Sequence, residues 1–195
     1  MAKADMTKRL MDSTIRVIAR EGMDRATTKA IATGAEANEV YIYRIFDDKV
    51  DLLVKTFATL DAELLEEVEK SVALAFDGRG DFFSRGKDMF LHLWKFLLGS
   101  SDKTLCFVQY YYSPYFRKFS AEEHKERYAG VVGILSKLFR DEANVWMILN
   151  HILNVLLDFA TKVHYGDLPD DNDSETHVYF VLYNSIKPYL REGIE

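Results

Sequence analysis

The sequence is poor in the residues that cross-link or interrupt a chain. Its 195 residues include one cysteine, Cys106, and three prolines. A single cysteine excludes an intrachain disulfide and favours a reducing compartment such as the cytoplasm. With so few prolines, helices can continue without the breaks that proline imposes.

Long apolar runs are also missing. The N-terminal segment lacks the apolar stretch of a secretory signal peptide, and the other apolar stretches are broken by polar or charged residues well short of a membrane span. We therefore expect a cytoplasmic protein that does not insert into a membrane.

Familiar catalytic motifs are absent as well. The sequence contains no HExxH motif, no glycine-rich phosphate loop and no nucleophile elbow. Its five histidines are dispersed without metal-ligand spacing, and Cys106 has no activating residue near it in the sequence. We expect a protein that is not an enzyme and that holds neither a metal nor a cofactor. A helical enzyme whose catalytic groups converge only in the folded chain is the alternative.

Acidic residues outnumber basic ones, but unevenly along the chain. The formal net charge is −6, which argues against a protein that coats nucleic acid with its whole surface. Residues 1–53, however, contain nine basic and nine acidic residues, so this segment carries none of the excess negative charge. A local DNA-binding surface within residues 1–53 is compatible with this composition.

Apolar residues recur at spacings of three and four, which predicts an all-α fold of about nine helices. The expected boundaries are a stop at Gly22, caps at Thr27 or Thr28, at Asn38 and at Asp47 or Asp48, and later helices at about 82–98, 103–112, 121–140, 142–165 and 174–192. No flexible linker marks a domain boundary, so we expect one inside the long fourth helix. The predicted domains are residues 1–53 and 54–195.

Residues 27–46 predict two short helices joined by a turn and braced by the preceding helix, which is a helix-turn-helix unit. Ala32 and Ala35 are small where the second short helix must cross the first. Apolar residues then give the second helix a buried side, and polar ones give it an outward side. The buried side would carry Ile42, Ile45 and Phe46, and the outward side Asn38, Glu39, Tyr41 and Arg44.

This segment resembles the N-terminal domain of the TetR family of transcriptional repressors, whose pattern is roughly T-x-x-x-I-A-x-x-A-G-V-S-x-x-x-L-Y-x-Y-F-x-x-K-x-x-L. The resemblance covers about residues 7–55, and beyond them it is one of architecture only. The matching positions are Thr27 or Thr28, Ile31, Ala32, Ala35, Ala37, Asn38, Ile42, Tyr43, Phe46, Lys49 and Leu52 or Leu53.

Three positions depart from the family pattern. Glu36 replaces the glycine of the turn, and a left-handed glutamate there would cost about 1 kcal/mol relative to glycine. Asn38 replaces the usual serine, which is an equivalent cap. Val40 replaces a small residue early in the second short helix, where it is able to contact a thymine methyl group.

The resemblance implies a DNA-binding surface in this segment. Thr28, Tyr43 and Lys49 would bind phosphates; the alternatives are a core position for Tyr43 and a solvated charge for Lys49. Glu39 would face DNA favourably only by accepting a hydrogen bond from a cytosine amino group, and solvent exposure is its alternative. The full set of candidate DNA-binding residues is Thr27, Thr28, Lys29, Asn38, Glu39, Val40, Tyr41, Tyr43, Arg44 and Lys49.

Aromatic residues are concentrated between residues 82 and 119. Tyrosine hydroxyls among apolar rings suit a pocket for a small amphipathic or aromatic ligand, and in the TetR family the C-terminal domain binds an effector. Filling of an ordinary core is the alternative. The candidate ligand-binding residues are Phe90, Trp94, Phe107, Tyr110 and Tyr111, with His151 and Asn154 from a later helix.

The predicted helices 142–165 and 174–192 are apolar on more than one face. Pairing with a second copy would bury this surface, as the resemblance also implies, and a monomeric core is the alternative. The sequence and its resemblance to the TetR family therefore predict a homodimeric repressor that binds a pseudo-palindromic double-stranded operator and that a small effector releases, with half-sites about 34 Å or somewhat more apart. The alternative is a helical small-molecule-binding protein whose helix-turn-helix no longer reads DNA.

Overall fold

The computed structural model describes residues 3–76 and 80–194, and within these ranges the fold is all-α, as predicted. Eleven α-helices occur there, nine of them with seven or more residues, and there are no strands. The helices are α1 (Lys3–Glu21), α2 (Thr28–Gly34), α3 (Val40–Ile45), α4 (Lys49–Ala75), α5 (Phe82–Leu98), α6 (Ser101–Tyr111), α7 (Pro114–Phe119), α8 (Ala121–Arg127), α9 (Ala129–Leu135), α10 (Val145–Tyr165) and α11 (Asn172–Ile186).

Local geometry confirms the predicted end of the first helix and the predicted starts of the next three. Gly22 follows α1 with a φ of 93°, a conformation that favours glycine. The side chains of Thr27, Asn38 and Asp48 each accept a hydrogen bond from a backbone N–H two or three residues further on, at 2.8 to 3.1 Å. These side chains satisfy N–H groups that would otherwise lack a partner at the starts of α2, α3 and α4.

One predicted helix is wrong. The segment expected as a single helix at 121–140 forms two short helices, α8 and α9, with a break at Tyr128. Two glycines and two valines lie close together after the break, and both residue types lower helix propensity. The Tyr128 side chain is fully buried, so packing at the break compensates for the interrupted helix.

The last two long helices also differ from their predicted bounds. α10 begins at Val145, where the Asn144 side chain accepts from the N–H of Met147, rather than at 142. α11 ends at Ile186 rather than at 192, and a 3₁₀ turn that contains Pro188 follows it. Proline lacks the N–H that a continuing helix needs, which accounts for this end.

The chain forms two compact units that are discontinuous in sequence. The first comprises residues 1–63 and 101–125, and the second comprises residues 64–100 and 126–195. α4 contributes its N-terminal part to the first unit and its C-terminal part to the second. The predicted domain boundary at residue 53 also lies within α4, and it stays a prediction.

The first unit contains the helix-turn-helix together with α1, which packs on it, and α6, which packs on α1. Its apolar cluster joins α1 to the two short helices through Met6, Leu10, Ile31, Ala32, Ala35, Ile42, Phe46 and Leu52. On its C-terminal half, α1 also packs against α6. Arg20 donates two hydrogen bonds to the carboxylate of Asp102 at 2.9 and 3.2 Å, and Gln109 donates to the carbonyl of Ala19 at 3.3 Å.

The second unit is built around α5, α10 and α11. The Tyr179 hydroxyl of α11 donates to the carbonyl of Phe83 at 2.5 Å and lies against Gly86 of α5. A Cβ atom at residue 86 would lie 2.8 Å from this hydroxyl, so the close approach of α11 to α5 depends on glycine. His164 of α10 is hydrogen-bonded to the carbonyl of Leu97 at 3.0 Å.

Candidate nucleic-acid interface and ligand cavity

Helix α2 packs closely against α1 and also contacts α3. Ser13 of α1 donates its hydroxyl to the carbonyl of Ile31 at 2.7 Å. A Cβ atom at Gly34 would lie 2.5 Å from the same hydroxyl oxygen, so glycine is required for this packing. The buried Ala32 and Ala35 leave room for α3, as the sequence predicts.

The turn between α2 and α3 has the strain expected at Glu36. Its φ is 50°, and among the described residues it is the non-glycine with a positive φ. The N–H of Ala37 donates to the carbonyl of Ala32 at 2.9 Å, and the N–H of Glu36 donates to that of Thr33 at 3.0 Å. This is the Schellman pattern that ends helices, with glutamate in the position that glycine usually occupies.

Two arginines of α1 stabilise the same turn. Arg9 donates to the carbonyl of Ala35 at 2.5 Å, and Arg16 donates to that of Gly34 at 3.1 Å. Cations at the C-terminus of a helix compensate its partial negative charge. Arg9 also lies 3.6 Å from the Glu36 carboxylate, which is 90% exposed, so that ion pair adds little.

The outward face of α3 is open to solvent. The exposed side chains are those of Val40, Tyr41, Tyr43 and Arg44. Tyr43 is 59% exposed, so it does not occupy the core position that the sequence left open as an alternative. The Arg44 guanidinium lies 5.7 Å from the centre of the Tyr41 ring. Both side chains therefore present a combined cationic and aromatic surface beside the helix.

A groove of about 840 Å³ runs along this face of the first unit. Its wall includes the basic residues Lys3, Arg9 and Arg44 together with Glu36. Lys3 and Arg9 were not candidates from the sequence, because their approach to α3 depends on how α1 packs across it. They add positive charge beside the exposed face of α3.

Glu39 immediately precedes α3 and does not extend freely into solvent. It is half-buried, and its carboxylate accepts a hydrogen bond from the hydroxyl of Thr28 at 3.3 Å. Thr28 is the first residue of α2, so this bond joins the starts of the two short helices. The sequence alone did not indicate that these two candidate residues are partners.

The start of α4 carries Lys49, which is half-buried, among three acids. Asp51 accepts hydrogen bonds from the N–H of Asp47 at 3.1 Å and from the Lys55 ammonium at 2.7 Å. Partial burial raises the pKa of Asp51, but the bonds from Lys55 and Asp47 outweigh it and hold the pKa below its usual value. The carboxylates of Asp48 and Asp51 therefore act within the protein, the first as a cap and the second as an ion-pair partner of Lys55.

The candidate ligand-binding residues divide between the two units. Phe107, Tyr110 and Tyr111 lie in the first, whereas Phe90, Trp94, His151 and Asn154 lie in the second. In the first unit, Tyr110 stacks on Phe57 at 4.6 Å and Phe107 lies 5.1 Å from Phe57. In the second, Phe90 and Trp94 stack at 5.5 Å, and His151 is exposed and hydrogen-bonded to Ser185 at 2.8 Å.

A cavity of about 60 Å³ lies inside the second unit. Of the candidate ligand-binding residues, Phe90 forms part of its wall. The other lining residues are Phe82, Gly86, Met89, Leu93, Leu135, Leu138, Phe139, Ile152, Leu156, Tyr179, Leu182, Tyr183 and Ile186. The wall is almost wholly apolar, and the Tyr179 hydroxyl already donates to Phe83. The lining residues from α5 share one face of that helix, because their spacing is helical. The residues of α10 and α11 reach them only through tertiary packing.

The first unit also contains a buried polar pair that no sequence pattern predicts. Asp61 of α4 is fully buried and lies 2.8 Å from His124 of α8, which is 5% exposed. The aromatic rings of Phe57, Tyr111 and Phe116 surround the histidine at 5.5 to 6.4 Å. The pair joins α4 to α8, two helices that are more than sixty residues apart in the sequence.

Neither a metal-binding cluster nor an activated thiol occurs among the described residues. No group of three or more His, Cys, Asp or Glu residues within residues 3–76 and 80–194 is arranged to hold a metal ion. Burial, with the nearby Asp102 carboxylate adding to it, raises the pKa of Cys106 to about 12, so this thiol is protonated at neutral pH. No helix in the same ranges is long and apolar enough to cross a membrane.

Comparison with known proteins converges on one group. Residues 10–56 match the family described as bacterial regulatory proteins, tetR family. The chain is 31% identical over 81 residues to the HTH-type nicotine-responsive transcriptional repressor HdnoR of Paenarthrobacter nicotinovorans, over 42% of this chain and 40% of that protein. It is 28% identical over 96 residues to an uncharacterized HTH-type transcriptional regulator of Haemophilus influenzae, over 49% of each chain. The matched segment thus spans less than half the length of these relatives.

The fold agrees over nearly the whole chain. A TetR family transcription regulator from Marinobacter aquaeolei VT8 superimposes with a TM-score of 0.75, covering 93% of this chain and 95% of that one. Sequence identity in this superposition is 13%, so the similarity concerns the fold alone.

Proposed function

Through residues 10–56 the chain belongs to the tetR family of bacterial regulatory proteins, and on this premise we propose that it is a cytoplasmic transcriptional repressor. It binds a pseudo-palindromic operator as a homodimer, and a small organic effector releases it. The observation that carries the DNA-binding part is the exposed face of α3, which projects from a helix-turn-helix unit that is fully packed on its other side.

The proposed interface combines backbone and base contacts. Tyr43 and Lys49 are positioned to contribute to phosphate binding, which sets register, while Val40, Tyr41 and Arg44 face the major groove. The basic residues Lys3 and Arg9 extend the cationic surface along the groove beside α3. Because the formal charges of residues 1–53 cancel, one copy of this surface attracts DNA only weakly. Two copies in a homodimer double the number of phosphate contacts and so strengthen binding.

The first test is a selection of duplexes from a random library by the purified protein, followed by a gel shift with the enriched sequence. We expect a two-fold symmetric motif. In variants Tyr43→Ala and Lys49→Ala, loss of a charge-assisted phosphate contact should weaken binding by roughly 1.5 kcal/mol or more, about tenfold per half-site.

Tyr112→Ala and Lys118→Ala are the matched controls. Tyr112 is 61% exposed, close to the 59% of Tyr43, but it lies outside the helix-turn-helix. Both controls should bind as the parent protein does, and all four variants should keep the parent's circular dichroism. Enrichment of no duplex by the parent protein would instead favour a small-molecule-binding protein that does not read DNA.

We propose that the effector enters the second unit with an apolar portion in the cavity between α5, α10 and α11. A lining with few polar groups favours a neutral hydrocarbon or aromatic moiety. The relative HdnoR is named as nicotine-responsive, which supports a small organic effector of this kind. At about 60 Å³ the cavity holds only part of such a molecule unless its wall moves.

We propose that α10 and α11 form the homodimer interface. Met147 on α10 and Phe180 and Val181 on α11 are each more than half exposed, an unusual position for large apolar side chains. A second copy that packs its own α10 and α11 on this surface would bury them in a four-helix arrangement.

A further inference from the structure

Glu39 creates an electrostatic problem for the proposed interface. In a helix-turn-helix, the N-terminal residues of the second helix contact base edges, and Glu39 directly precedes α3. A carboxylate in the major groove is repelled by the phosphates and by every base edge that presents an acceptor. It stabilises a complex only where it faces a donor.

The structure shows a hydrogen bond that orients this carboxylate. The backbone of Glu39 is already helical, with φ of −50° and ψ of −30°, so its side chain projects from the start of α3. The Thr28 hydroxyl donates to one carboxylate oxygen at 3.3 Å. A carboxylate has lone pairs in excess of this one bond, so its acceptor capacity is not exhausted.

We propose that Glu39 selects cytosine in each operator half-site and that Thr28 is the residue that positions its carboxylate; this inference rests on the proposed function. Cytosine presents its N4 amino group in the major groove as a donor with no acceptor of its own beside it. Guanine and thymine present acceptors there, and adenine presents its amino donor next to the N7 acceptor. A carboxylate is therefore attracted by cytosine and repelled by guanine and thymine, while at adenine the attraction of the amino group is offset by repulsion from N7.

The role of Thr28 differs from the one that the family resemblance implies. A threonine hydroxyl has one proton. The hydroxyl that donates to Glu39 cannot donate to a phosphate at the same time. Thr28 therefore affects base selection through Glu39, and a direct phosphate contact at this position is not needed.

The test compares motifs selected from a random duplex library by the full-length parent protein and by Glu39→Gln. The parent motif should contain a cytosine in each half-site, favoured about tenfold over other bases. A glutamine side chain reads adenine through its N6 and N7, so the same position should change from cytosine to adenine while the other positions stay the same. Glu21→Gln is the matched control, since it removes an exposed acid from the end of α1, outside the groove and the candidate DNA-binding residues, and its motif should equal the parent motif.

Thr28→Val tests the positioning role, because valine keeps the shape of threonine and removes the hydroxyl. In the parent background it should reduce the cytosine preference, and in the Glu39→Ala background, which has no acceptor for the hydroxyl to position, it should change nothing. A phosphate contact would behave otherwise, with an equal loss of affinity on all sequences in both backgrounds.

Three results would overturn the proposal. A parent motif without cytosine in the half-site would remove Glu39 as a base reader while the repressor function stands. Unchanged base preference in Glu39→Gln with tighter binding to every duplex would show that Glu39 only repels DNA. Enrichment of no motif by the parent protein would remove the proposed function, and with it the role of Glu39.

Discussion

At the scale of single residues, the turn at Glu36 shows what a local pattern is able to predict. The family pattern places glycine there, and the positive φ at Glu36 confirms the conformation that glycine would favour. The bond between Thr28 and Glu39 and the buried pair of Asp61 and His124 were not predictable in the same way. Their partners are brought together by tertiary packing, and no spacing in the sequence encodes them.

Glu36→Gly should stabilise the protein by roughly 0.5–1 kcal/mol, because glycine removes the left-handed strain while the exposed ion pair with Arg9 contributes little. The greater freedom of glycine in the unfolded chain offsets part of the gain. Urea denaturation followed by circular dichroism measures the change.

Thr33→Gly serves as the control for Glu36→Gly. Thr33 is exposed within α2 and has a helical backbone, so glycine there should destabilise by roughly 0.3–0.5 kcal/mol, the difference between two weak helix formers. Equal losses in the two variants would mean that the turn at Glu36 is not strained.

At the scale of elements, periodicity located the long helices α4 and α5 well, but it joined the short helices α8 and α9 into one. α4 and α5 each present a continuous apolar stripe to the core, so spacing alone indicated them. The segment 121–140 keeps helical spacing as well, but its glycines and valines allow a break at Tyr128. Spacing reports which residues are able to share a face, whereas the break is decided by the packing of the Tyr128 ring.

The paired helices α10 and α11 carry the prediction about assembly. Val181→Glu should convert a homodimer to a monomer, because each interface would bury two unpaired carboxylates and weaken association by about a hundredfold or more. Val181 is 58% exposed in the single chain, so the substitution should leave the fold intact. Sedimentation velocity across a concentration series measures the assembly.

The control for assembly is Ile134→Glu on α9. Ile134 is also exposed and belongs to the same unit, but it lies outside α10 and α11. It should sediment as the parent protein does. A parent protein that is monomeric at every concentration would contradict the proposed interface.

At the scale of the whole molecule, the proposed functions fall in different units. The residues proposed to read DNA lie in the first, and the cavity lies in the second. The sequence predicted aromatic residues for the ligand site, but it could not distinguish those that fill a core from those that line a cavity. Phe107 and Tyr110 pack on Phe57, while Phe90 lines the cavity, and all three lie in helical segments rich in apolar residues.

Filling the cavity should separate effector binding from folding. Leu156→Phe should occupy the cavity and abolish the binding of a small apolar probe such as xenon, which we would detect by NMR shifts of the lining methyl groups. The substitution should cost less stability than the roughly 1–3 kcal/mol typical of overpacking, since space is available.

Leu149→Phe is the matched control for the cavity. Leu149 is buried on the same helix but does not line the cavity, so its substitution should overpack the core and leave probe binding unchanged. Shifts that persist in Leu156→Phe would show that the probe binds elsewhere.

The contact between α1 and α6 has a consequence for protein engineering. Arg20, Asp102 and Gln109 join the helix-turn-helix to a segment that lies far along the chain, inside one compact unit. A chimaera could transfer only the matched residues 10–56 to another regulator. The face of α1 that packs against α6 would then lie against a helix of the other protein, without its own partners. The transferable part is instead an assembly of two sequence segments, residues 1–63 and 101–125, which have to be exchanged together.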